Sequence, residues 1–103
     1  MTRDEELELA RHLTENHQHD EAYKIVDKWL KANPNDVRWL TLMVYIMLDT
    51  DKIPIAYHLA KRAVELAPKE PGCYLNLGMA ANDLWMDKEA MRYYEKGLKC
   101  ATT

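Results

Sequence analysis

The sequence predicts an all-α chain built from three successive antiparallel helix pairs, six helices in all. Composition is the first reason. Gly and Pro together supply only seven of 103 residues, and β-branched residues are few beside Ala, Leu, Lys, Glu and Met, a balance that favours helices. Periodicity is the second. Ala22, Ala56 and Ala90 stand 34 residues apart, as do Pro34 and Pro68, each proline twelve residues after its alanine. Anchors in one phase imply copies of one supersecondary unit. The units are expected at about 3–36, 37–70 and 71–103, within a single domain, which a chain of this length supports.

The first helix is expected over Asp4–Asn16. Thr2 and Glu5 have capping-box spacing, Asp4, Glu5 and Glu6 suit the positive end of the helix dipole, and Leu9 and Leu13 start a core stripe. After the turn Asn16–Asp20, Asp20 is the expected cap of a second helix, Glu21–Ala32, which carries Ala22, Tyr23, Ile25, Val26, Trp29 and Leu30. Asn33-Pro34-Asn35-Asp36 ends the unit and offers Asp36 as the next cap. The third helix, Val37–Asp49, is apolar almost all round from Trp39 to Leu48, which requires cover on most sides and hence a central place. Pro54 fits the first turn of the fourth helix, which runs to about Ala67 with Ala56, Leu59, Ala60, Ala63, Val64 and Leu66 facing inward. Pro71 opens the fifth helix, and Asp87 is the expected cap of a sixth, Lys88–Cys100.

Bulk properties exclude several functions. Net charge is −3 with acids and bases interleaved, so no phosphate-binding surface and no nucleic-acid partner is expected. The longest nearly apolar run, Trp39–Leu48, is far short of a membrane span. The start of the chain is acidic and lacks an apolar signal core, so a cytoplasmic location is expected, with Cys73 and Cys100 as reduced thiols. No enzyme motif appears: there is no Gly-rich phosphate loop, nucleophile elbow or zinc signature. His17 and His19 with Asp20, near His12, have no third ligand at helical spacing. They read as solvated turn residues, with no metal and no cofactor expected.

The stretch Tyr74–Gly97 carries Tyr74, Leu77-Gly78, Ala90 and Tyr94. This order resembles the tetratricopeptide repeat, W-x2-L-G-x2-Y…A-x3-F…P over about 34 residues. The resemblance covers nearly the whole chain and implies a right-handed α-solenoid. The middle unit departs from the pattern, with Val44 in the place of Gly78 and Ala60 in that of Tyr94. Such repeats serve as protein–protein interaction modules, and the first helix of each unit lines a concave groove. The resemblance places Leu7, Arg11, Arg38, Leu42, Tyr45, Leu75, Asn76, Met79 and Asn82 on that face, with Thr14 and Asp49, as a surface for a peptide segment of another protein. The Lys, Asn, Asn, Lys, Arg clamp with which co-chaperone members hold a C-terminal carboxylate is absent, its places being taken by Leu7, Arg11, Leu42, Gly72 and Asn76. The Asn ladder of the repeat arm of O-linked N-acetylglucosamine transferases keeps one rung, Asn76, with Glu8 and Leu42 at the others.

Such arrays usually finish with an extra polar-faced helix. Here the third unit runs to Ala101-Thr102-Thr103, while Trp85, Met91, Tyr93, Tyr94 and Leu98 exceed what one inward face can hide. The alternative expectation is therefore a structural or assembly subunit that self-associates, as a homodimer, through this edge. A portion of a larger protein, such as a glycosyltransferase, would also cover it.

Overall fold

The computed structural model describes residues 1–102, so Thr103, the last residue of the expected third unit, lies outside the described residues. The six helices are α1 (Arg3–Glu15), α2 (His19–Ala32), α3 (Val37–Asp49), α4 (Ile53–Leu66), α5 (Pro71–Asp83) and α6 (Asp87–Thr102). There is no strand among the described residues. Each hairpin packs its two helices together, α2 packs on α3 and α4 on α5, and the first helices stack as α1 on α3 and α3 on α5. The result is an all-α solenoid with α3 enclosed between its neighbours.

Helix starts follow local chemistry. Thr2 and Glu5 form the expected capping box, in which the Thr2 Oγ1 accepts from the Glu5 N–H at 3.2 Å and the Glu5 carboxylate accepts from the Thr2 N–H at 2.9 Å. The Thr2 backbone N–H first, and the Thr2 hydroxyl second, hold the Glu5 carboxyl below its ordinary range. Asp36 caps α3 by accepting from the Arg38 N–H. Two expected caps are displaced. The α2 cap position is Gln18, without a side-chain bond, and Asp20 lies inside the first turn. Asp87 is the first residue of α6, so it too sits in the first turn, where a carboxylate still favours the positive helix end.

The three hairpin turns share one closure. His17, Asp51 and Trp85, at the 34-residue period, all take left-handed backbone, with φ of 59°, 62° and 64°. Behind each, an N–H reaches back to the carbonyl five residues earlier: Gln18 to Leu13 and Lys52 to Met47 at 2.8 Å, and Met86 to Ala81 at 2.9 Å. This is the six-residue Schellman closure, for which glycine is the favoured residue. None of the three positions is glycine here.

The core is a run of small and large residues in register. Ala10, Ala22, Ala56, Ala60, Ala80 and Ala81 are buried where helices approach closely, and Trp39, Leu40, Val44, Ile46 and Leu77 fill the space between. Trp29 stacks on Trp39 with ring centroids 5.9 Å apart and planes within 12°. On α1 the buried stripe is Leu7, Ala10, Leu13 and Thr14, with Leu9 only half-buried. Leu66, expected to face inward, is exposed at the end of α4. Gly78 answers to Tyr94, since a Cβ there would lie 2.5 Å from the Tyr94 Cε1.

Candidate functional site

The first helices of the three units frame a groove of about 800 Å³. From α1 and its turn come Arg11, Thr14, Glu15 and His17. From α3 come Val37, Arg38, Thr41, Leu42, Tyr45 and Asp49. The α4–α5 connection and α5 supply Ala67, Glu70, Gly72, Cys73 and Asn76. The 34-residue repeat explains this convergence, because Leu42 and Asn76 are one position in successive units, as are Arg38 and Gly72. The lining thus combines apolar residues, Val37, Leu42, Tyr45 and Ala67, with the polar Thr14, Thr41 and Asn76.

Asn76 is the distinctive member. Its side chain is only 3% exposed, yet its Oδ1 has no hydrogen-bond partner. A buried carbonyl left unpaired costs about 1–3 kcal/mol, and buried polar groups are otherwise almost always satisfied. Asn76 thus lines the groove while its amide oxygen is buried in the wall without a donor.

The arginines in the groove are already engaged. Arg38 donates from Nε and Nη2 to the two carboxylate oxygens of Asp36, at 3.2 and 3.0 Å, and its Nη1 lies 3.9 Å from Asp4. These hydrogen bonds hold the Asp36 carboxyl below the usual range and raise Arg38 further above neutrality. Arg11 pairs with Glu8 at 2.7 Å. Glu15, Asp49 and Glu70 place three carboxylates on the same lining. Burial first, and the nearby Glu70 charge second, push the Cys73 thiol up, so Cys73 is a neutral wall residue.

Of the groove residues expected from sequence, Arg11, Thr14, Arg38, Leu42, Tyr45, Asp49 and Asn76 come together in this cavity. Leu7 does not reach it, being buried in the core cluster, and Leu42 is also core for most of its surface. Met79 and Asn82 lie further along α5, outside the lining. Leu75 is 52% exposed and also outside it. The physical reason is register: Leu7, Thr41 and Leu75 are one repeat position. Leu7 and Thr41 are on helices that the next first helix covers, and Leu75 is on the last of these helices. Sequence reasoning missed Glu15, His17, Val37, Thr41, Ala67, Glu70 and Cys73. Val37, Thr41 and Cys73 were legible as neighbours of Arg38, Leu42 and Asn76 one helical step away. Ala67 and Glu70 come from an irregular connection without a helical period.

The edge residues divide similarly. Met91 and Leu98 are 60% and 67% exposed on α6, and Trp85 is 88% exposed on its turn. Tyr93 and Tyr94 turn inward instead: Tyr93 packs on the core cluster and the Tyr94 ring lies over Gly78. Tyr57 donates to Glu89 at 3.3 Å, and its hydroxyl is pushed well above the ordinary phenol range by its hydrogen bond with Tyr93 and then by burial. This ties α4 to α6.

The fold is that of tetratricopeptide-repeat domains, with three repeats. The TPR domain of Sgt2 from Aspergillus fumigatus superposes with a TM-score of 0.90 at 20% identity, covering 98% of this chain and 67% of that one. The second TPR of Spaghetti (RPAP3), solved bound to the HSP90 peptide SRMEEVD, gives 0.86 at 15% identity, covering 97% and 93%. MamA MSR-1 gives 0.84 at 16% identity, and this chain covers 98% of itself but spans only 58% of that protein. No protein-family model and no curated protein matches the sequence. No helix among the described residues is long and apolar enough to cross a membrane.

Proposed function

We propose that the chain is a protein-interaction module whose groove binds an extended peptide segment of a partner protein. The observation that carries this is Asn76. Its amide oxygen is buried and unpartnered in the groove wall, so a turn of the side chain toward the groove on binding pairs it with a peptide N–H, among apolar lining residues that can take alternate side chains. The groove's two arginines are paired, and three carboxylates share its lining. That balance favours a neutral or basic segment over an acidic C-terminal tail. The clamp positions agree, because Leu7, Gly72 and Asn76 stand at the places of its two lysines and its arginine and offer no cation to a carboxylate.

Selection of peptides from a displayed random library, followed by calorimetry on the winners, tests this. Binders are expected to weaken about tenfold or more with Asn76→Ala, the scale of one lost buried hydrogen bond, and to weaken also with Tyr45→Ala. SRMEEVD is expected not to bind. Selected peptides indifferent to both substitutions, or a preference for SRMEEVD, would overturn the reading.

A second reading is an assembly subunit that associates through α5 and α6. It is favoured by the exposure of Leu75, Met91 and Leu98, whose repeat equivalents Thr41, Tyr57 and Val64 are half-buried.

A further inference from the structure

We infer that His17, His19 and Asp49 form a binding site for a divalent ion of the Zn²⁺ type at the junction of the first two repeats. The turn after α1 supplies both histidines and the last residue of α3 supplies the carboxylate. A ligand atom from each lies within 4.8 Å of the others. Asp49 Oδ2 sits between the rings, 3.7 Å from His17 Nδ1 and 3.9 Å from His19 Nε2. The two imidazoles stand edge to face, with centroids 5.6 Å apart. A tetrahedral ion with bonds of about 2.0–2.1 Å sets its ligands about 3.3 Å apart. Closing to that spacing needs about half an ångström between Asp49 and each ring and up to about 1.5 Å between the two rings, in side chains of which His17 is the most exposed. Two imidazoles and one carboxylate suit a borderline first-row ion, and three protein ligands leave a position for water.

The repeat supplies an internal control. At the next junction, the same backbone positions hold Asp51, Ile53 and Asp83. Ile53, at the position of His19, is a buried packing residue. His19 therefore places a polar ring where the second repeat has a buried aliphatic side chain and the third an exposed Asp87, and its Nδ1 is buried without a partner. An unpaired buried ring nitrogen is unfavourable. Packing does not require it, whereas presentation of Nε2 to Asp49 does. The left-handed backbone of His17, closed by the Gln18 to Leu13 bond, starts its side chain on the side of the turn from which Nδ1 comes within 3.7 Å of Asp49. In sequence the pair has no third ligand nearby. Asp49 is brought in by the packing of α3 on the first hairpin.

Calorimetric titration of the tag-free, reduced chain with zinc chloride tests the inference, with thermal unfolding followed in parallel. The expected result is one ion bound per chain and a rise in Tm. His19→Ile, which installs the residue of the second repeat, should bind at least tenfold more weakly while its metal-free Tm is unchanged or higher. Asp49→Asn should lose affinity similarly, and provides the answer if His19→Ile folds poorly. A Cys73→Ser, Cys100→Ser double variant should bind as the unaltered chain does. Absence of single-site binding, or binding by both His19→Ile and Asp49→Asn at full affinity, would overturn the site. Loss of binding in the cysteine variant would do so equally, by placing the ion on thiolates.

Discussion

Packing in this chain is settled by pairs of residues that trade volume across a hairpin. Gly78 and Tyr94 are one such pair, and their equivalents are Val44 with Ala60 and Ala10 with Val26. Each pair combines one smaller and one larger side chain, as a densely filled interior requires. Gly78→Val alone forces the Tyr94 ring out of place, because even a Cβ would lie 2.5 Å from it. The expected cost is about 1–3 kcal/mol, the range for overpacking. Tyr94→Ala alone leaves a void. The double variant recreates the middle unit's pair, so chemical denaturation of all four proteins should reveal a favourable coupling of about 0.5–3 kcal/mol. Additive losses would show that the two positions do not share one space. This compensation was visible in sequence as a swap of large and small residues. The groove assignments were less legible. Leu7 and Leu42 carry helical spacing that fits a concave face, but a rotation of about 100° per residue separates groove-facing from neighbour-facing positions. Only the stacking of α3 on α1 puts Leu7 in the core.

At the level of elements, the helices could be placed from the sequence because their start and stop signals are strong. Thr2, Asp36 and Pro71 mark starts by satisfying or removing free N–H groups. Boundaries drifted where such signals compete: Asp20 reads as a cap, yet the Schellman turn begins α2 at His19. The turn conformation itself was not legible, since none of its three residues is glycine. Trp85 is the most strained member, a bulky residue at φ 64° whose side chain is 88% exposed. Asn tolerates left-handed backbone far better, and removal of an exposed indole loses little packing. Trp85→Asn is therefore expected to stabilise the chain by about 0.5 kcal/mol, read as a higher urea midpoint with unchanged slope. A loss of stability would mean that the indole makes a contact that matters to the fold.

On the scale of the molecule, a stack of repeats buries each unit's outer face under the next, so any first or last unit has a face to account for. The first unit turns charge outward and closes it locally, with Glu6 accepting from Lys28 at 2.6 Å. The last shows Leu75, Met91 and Leu98 at the positions that α3 and α4 cover with their neighbours. Burying two such side chains stabilises an interface by roughly 1.5–3 kcal/mol each, so the face can support association without any polar contact. Met91 and Leu98 are seven residues apart on α6, two turns along one stripe, which makes them separable from the groove by mutation. Light scattering over a concentration series is expected to show mass rising above that of one chain, and Leu98→Glu or Met91→Glu to return it to 12.1 kDa. Peptide binding in the groove should be unchanged in both variants, because neither residue lines it. Mass equal to one chain at every concentration would remove self-association as a role for this face. Loss of peptide affinity in Leu98→Glu would instead place the peptide on α6 and displace Asn76 as its anchor.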